Sequence, residues 1–169
     1  MRTALDADPV TLDEHERNFV ERIRRHGWFR TSVMGDDEGP GFSYTTGFWL
    51  TLGAPEFIVF ALTPEIAHQV LWDMFNDLKD GRPRPVGRSL DDVFANLAAY
   101  VFPVAAPHYP DLLGWSRWFY GGDDFACQQI VWPDPNGVFP WQAGVDERFA
   151  CLQPDLSEGG WESLLQRPN

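Results

Sequence analysis

Six consecutive apolar residues, Phe57-Ile58-Val59-Phe60-Ala61-Leu62, run between Pro55-Glu56 and Thr63-Pro64. A run this short, with no polar alternation, has no face to present to water, so it reads as a strand covered on both sides. It predicts the central strand of a sheet, with packing layers above and below it. A helix start follows at once, with Thr63 as N-cap and Pro64 at the first helical position, where its missing N–H costs nothing. Ile66, Val70, Leu71, Met74, Phe75 and Leu78 keep helical spacing until Lys79 and Gly81, which predicts a helix over 64–79.

The flanking sequence supplies the other elements. Thr11-Leu12-Asp13-Glu14 has the form of a capping box, and Leu12, Phe19, Val20 and Ile23 fall on one stripe before Gly27, predicting a helix over 12–25. Segments 28–33 and 42–48 are rich in aromatic and β-branched residues and read as a hairpin around the acidic loop Gly35–Gly41. A turn and then an edge strand are expected over 89–105, with the strand at 98–105 ending near Pro103. A helix is expected over 109–120 and an alternating strand over 125–132, followed by the turn Asp134-Pro135-Asn136-Gly137. The fold class is therefore α+β, one domain with a mainly antiparallel sheet and two to three flanking helices. Its expected extent is 11–156, with 1–10 and 157–169 loosely held.

With 169 residues the chain can bury a core without disulfide or metal staples. Thirteen Lys+Arg against 25 Asp+Glu leave a net charge of −12, which argues against binding the phosphate backbone of nucleic acid or an anionic membrane surface. Eight Trp, four Tyr and 13 Phe exclude a disordered chain. No apolar stretch has the length of a signal peptide or a membrane span, and Cys127 and Cys151 are too few for a disulfide scaffold, so a cytoplasmic, reduced protein is expected.

His26-Gly27-Trp28, Tyr44-Thr45-Thr46-Gly47, Pro55-Glu56, Gln129 with Trp132-Pro133-Asp134, Gly137, Pro140-Trp141 and Gln153-Pro154 occur in this order along the chain. Together they resemble a bacterial domain family of unknown function, over about residues 12–156. The resemblance implies an independent domain of a known type, common in actinobacteria and related soil bacteria, and carries no activity, cofactor or catalytic residue. The family usually has leucine after its second glycine, where this chain has Phe48, and the 35–41 loop is particular to this sequence.

Several residues qualify as chemistry-bearing. Tyr44, Thr45 and Thr46 before Gly47 can present hydroxyl donors to an oxyanion or carbonyl, or can simply occupy the two faces of a strand. Gln129, if buried, must be hydrogen-bonded and is either a structural clamp or a ligand reader. Asp134 sits where the strand breaks and can act as a base or cap its own turn. His108, between Pro107 and Tyr109, is the histidine to test as acid or base. A Cys127–His108 nucleophilic pair is conceivable, although Cys127 reads more simply as a small buried hydrophobe. The histidines and cysteines lack metal-site spacing, so no metal and no cofactor is expected. Phosphate-loop, dinucleotide and hydrolase-elbow motifs are absent from the sequence.

The rings of residues 115–141, with Trp132 and Trp141 among them, are more than a small core needs to bury, and surplus Trp and Tyr are typical of interfaces. The expected function is thus a soluble binding or accessory domain. It would recognise a protein partner or an apolar ligand through an aromatic surface that includes Tyr44, Thr45, Gln129, Trp132, Asp134 and Trp141. The alternative is a small enzyme whose pocket joins Tyr44, His108, Gln129 and Asp134. The sequence leaves the oligomeric state open.

Overall fold

The computed structural model describes residues 1–166; the end of the expected loose tail, 167–169, lies outside the described residues. Five strands form one sheet in the order β1-β2-β3-β5-β4, comprising β1 (Phe29–Val33), β2 (Phe42–Thr46), β3 (Glu56–Phe60), β4 (Tyr100–Pro103) and β5 (Cys127–Val131). All neighbouring pairs are antiparallel except β3 with β5. The apolar run therefore supplies the middle strand, and every residue of β3 is buried. This is the α+β architecture read from the sequence.

Helices cover both faces. On one face α3 (Pro64–Lys79) packs Ala67, Val70, Leu71, Met74 and Phe75 against Phe57, Val59, Val101 and Ile130. On the other, α1 (Glu14–His26) contributes Phe19 and Ile23 to a cluster with Tyr44, Ile58, Phe60 and Cys127. That cluster is completed by α4 (Tyr109–Leu112) and α5 (Gly114–Tyr120). Because the sheet is covered twice, alternate side chains of β5 are buried on both faces rather than on one.

Several boundaries differ from expectation for identifiable reasons. The capping box of α1 is formed by Asp13 and Glu16, while Thr11 closes a preceding 3-10 turn by donating to the Asp8 carbonyl. The strand expected over 42–48 stops at Thr46, because Gly47 takes φ +119° and starts the short helix α2 (Phe48–Leu52). The helix expected over 109–120 breaks at Leu113, whose backbone (φ −116°, ψ 39°) separates α4 from α5. Two further short helices, α6 (Glu147–Ala150) and α7 (Trp161–Leu164), follow β5, giving more helices than the two to three expected. Residues 157–166 carry the buried Trp161, which packs on Phe102 and Trp141. Among the described residues no helix is long and apolar enough to cross a membrane.

The turn from β2 into α2 is held by a carboxyl group. Glu56, at the start of β3, is fully buried and accepts hydrogen bonds from the backbone N–H groups of Gly47 (2.9 Å), Trp49 (3.1 Å) and Phe48 (3.3 Å). The hydroxyls of Thr45 (2.5 Å) and Tyr120 donate to it as well. Three of the orphan N–H groups at the start of α2 thus find their acceptor in a side chain from the neighbouring strand. Burial pushes the Glu56 carboxyl above its ordinary pKa, while the Thr45, Tyr120 and backbone donors pull against it. Gly47 also lies directly on the Gly27–Trp28 backbone, where a Cβ would come within 2.4 Å of the Gly27 carbonyl oxygen. Replacing Glu56 with Ala orphans these donors in the core and is expected to cost about 3 kcal/mol or more, at about 1–3 kcal/mol for each buried group left unsatisfied. Glu56→Gln keeps one acceptor oxygen and loses less. Urea unfolding of both variants checks the ranking.

Candidate functional site

The residues singled out in the sequence are largely structural. Tyr44 is buried on β2, and its hydroxyl accepts the Trp115 N–H (3.1 Å) at the start of α5. Thr45 points to the opposite face, donates to Glu56 and accepts the Phe57 N–H (2.9 Å). Gln129 is buried on the same face as Tyr44 with Ile58 between them in register, and its amide nitrogen donates to the Pro154 carbonyl (2.8 Å). Trp132 is buried against the α3 cluster and its indole N–H donates to the Phe60 carbonyl (2.9 Å). Gln153 clamps the Trp132 backbone, accepting its N–H (3.0 Å) and donating to its carbonyl (2.7 Å).

Asp134 caps its turn. One carboxylate oxygen accepts the N–H groups of Asn136 (2.8 Å) and Val138 (3.0 Å), and the other accepts that of Asp146 (3.1 Å). The Val138, Asp146 and Asn136 amides hold its carboxyl below the usual carboxylate range. Trp141 stacks on Phe139 (4.9 Å between centroids) and meets Tyr100 and Phe102 edge-on. His108 is half-buried in the 3-10 turn between β4 and α4. Cys127 is buried in the core, and burial pushes its thiol up. Tyr44 and Gln129 thus share a sheet face but are turned into packed partners, and Asp134 lies beyond the strand end. The rings of 115–141 likewise pack into the buried clusters or against them rather than forming an open surface.

A different set of residues lines a cleft of about 440 Å³ at the edge strand β1. Trp28, at the end of the helix-stopping turn, is buried between Phe48 and Phe75 and forms the floor. His68 stacks on it at 5.7 Å with ring planes 16° apart, and Trp72, 44% exposed, lies 6.4 Å from both rings. His68 and Trp72 are one helical turn apart on α3, off the stripe that faces the sheet, so both stand at the cleft. Arg22 and His26 reach it from the last turns of α1, and Phe29 and Arg30 from β1. The left-handed Gly27 (φ +84°) turns the chain sharply enough for His26 and Trp28 to reach the same cleft.

The cleft is cationic. Arg30 is half-buried, donates to the Pro64 carbonyl, and has its pKa lowered by burial against an opposing pull from Glu65. Burial and the nearby Arg30 charge lower the pKa of His68, which favours its neutral ring. Sequence reasoning missed this group because its members are scattered over residues 22–72. Two signals pointed to it: Trp72 falls outside the apolar stripe of its helix, and cations are scarce in so acidic a chain. No group of three or more His, Cys, Asp or Glu side chains is placed to hold a metal ion among the described residues.

The fold and cleft define a single α+β domain with a ring-lined recess at the edge of its sheet. The chain belongs to the family described as Domain of unknown function (DUF4262), whose model matches residues 22–146. No curated protein and no solved structure matches it.

Two titrations test the assignments. The pKa of Asp134 is depressed by folding, so its contribution to stability is complete above the ordinary carboxylate value of about 3.9 and is lost as the pH falls through the depressed value. Asp134→Asn should therefore lower the urea midpoint at about pH 6, and the gap to the parent should narrow progressively as the pH falls below about 3.9. In the cleft, Arg30→Gln removes a repelling charge and should move the His68 ring titration upward, followed by NMR.

Proposed function

We propose that the chain is a binding module that takes a planar, apolar-ringed small molecule in the cleft at β1. The observation that carries this reading is the partly exposed Trp72 ring beside the His68–Trp28 stack, in a concavity large enough for a one- or two-ring ligand. Stacking on Trp and neutral imidazole faces rewards flat ligands, and a floor already packed on Phe48 and Phe75 does not have to be ordered on binding. A small enzyme built on Tyr44, His108, Gln129 and Asp134 is less favoured, because none of the four lines this cleft.

Indole is a suitable neutral probe. Added to the protein at up to about 5 mM, a range suited to fragment-sized ligands, it should shift the indole N–H resonances of Trp28 and Trp72 and the ring protons of His68. Trp72→Ala should weaken its binding about fivefold, in line with the loss of one aromatic pair. Shifts confined to other tryptophans, or no saturable shift, would sink the reading.

A further inference from the structure

The electrostatics of the same edge say what such a ligand carries. Beside the cleft lies a second concavity of about 280 Å³ on the other side of β1. Arg22, Phe29 and Arg30 line both, so they form the ridge where the two concavities meet. Arg22 sits over the Phe29 ring with its guanidinium carbon 5.4 Å from the centroid, which orients it along that ridge. His15 lines the second concavity, so three of the four histidines face this edge together with the two arginines.

Acids outnumber Lys and Arg by 25 to 13 in the chain, yet no acidic side chain lines either concavity among the described residues. Neither Arg22 nor Arg30 makes an ion pair among those residues, a property they share with Arg2, Arg17, Arg25 and Arg88, but these two alone line both concavities. Glu65, at the start of α3, is the acid whose field reaches Arg30. Two guanidinium groups without a carboxylate partner, Arg30 spending one donor on the Pro64 carbonyl, leave donors for an anion where no acid lines the surface, since guanidinium is weakly hydrated and pairs readily with carboxylate or phosphate.

The geometry points to a ligand that joins a flat ring to an anionic group, with the ring against His68 and Trp72, backed by the buried Trp28, and the anion on the Arg22–Arg30 ridge. This rests on the ring-binding reading above. The ridge sets the anion at the mouth of the cleft, and the second concavity leaves room for a substituent beyond it. Carboxylate and phosphate satisfy the arginines equally in kind, and the bound ring does not distinguish them.

The test compares neutral and anionic members of two pairs, indole with indole-3-acetate and adenosine with adenosine monophosphate, by ligand-detected NMR titration against the full chain. The anionic member is expected to bind about tenfold more tightly, in line with one charge-assisted contact. That margin should vanish at about 0.5 M salt, where exposed charges are screened. Arg22→Gln, at an exposed position, and Arg30→Gln, with its melting temperature checked, should each erase it, the indole affinity of each variant being measured alongside as the reference for its own margin. A margin in either pair supports the inference, and the pair with the larger margin identifies carboxylate or phosphate as the anion. Equal binding of neutral and anionic members in both pairs overturns the anion site and leaves the ring cleft standing. Failure of all four to bind overturns both readings.

Discussion

The carboxyl of Glu56 is the point from which the rest of the structure is organised. It lies at the start of the middle strand, yet its hydrogen-bond partners come from β2, from α2 and, through Tyr120, from α5. A charged or polar group in so dry a place is tolerated only when its acceptor positions are filled, and here two hydroxyls and three amides fill them. The same contacts pin Gly47 against Gly27 and Trp28, so the end of α1 and the start of β1 are set by the same knot. Trp28 is thereby held as a rigid floor, and the cleft above it follows from the packing of the scaffold.

A second knot ties the other half of the sheet. Gln153 pairs with both backbone groups of Trp132 as another strand would, Gln129 reaches the next carbonyl at Pro154, and Asp134 gathers the amides of its turn. The chain after β5 is thus strapped back along that strand without a further strand. The polar residues most conspicuous in the sequence serve these two knots. They are conspicuous because a buried backbone N–H or carbonyl needs a particular partner, and few side chains can supply it at a given distance.

Charge is distributed in the opposite sense to the chain as a whole. Apart from the buried Glu56 and Asp134, most acids lie on exposed helix starts, turns and the 35–41 loop, while the guanidinium groups of Arg22 and Arg30 face the β1 edge. Burial and the Arg30 charge favour the neutral form of His68, which suits it to ring stacking beside the cations. Cationic clearing and aromatic floor are therefore parts of one recess.

The sequence by itself determined the elements whose signals are local. The Phe57–Leu62 run required a strand covered on both faces, Thr63-Pro64 required a helix start, and Gly27 required a stop, because apolar period, missing N–H groups and positive φ are properties of neighbouring residues. From these the α+β class and the central place of β3 were legible. Gly47 was legible as a turn, but the helix it begins was not, since its acceptor stands nine residues further along at Glu56. Tyr44, Gln129 and Asp134 were legible as residues needing partners, and only the packed structure decided that those partners are backbone groups inside the protein. The cleft was not legible, because Arg22, Trp28, Arg30, His68 and Trp72 share no period or motif. They meet only when α1 and α3 close on opposite faces of one edge strand, and that juxtaposition belongs to the tertiary structure alone.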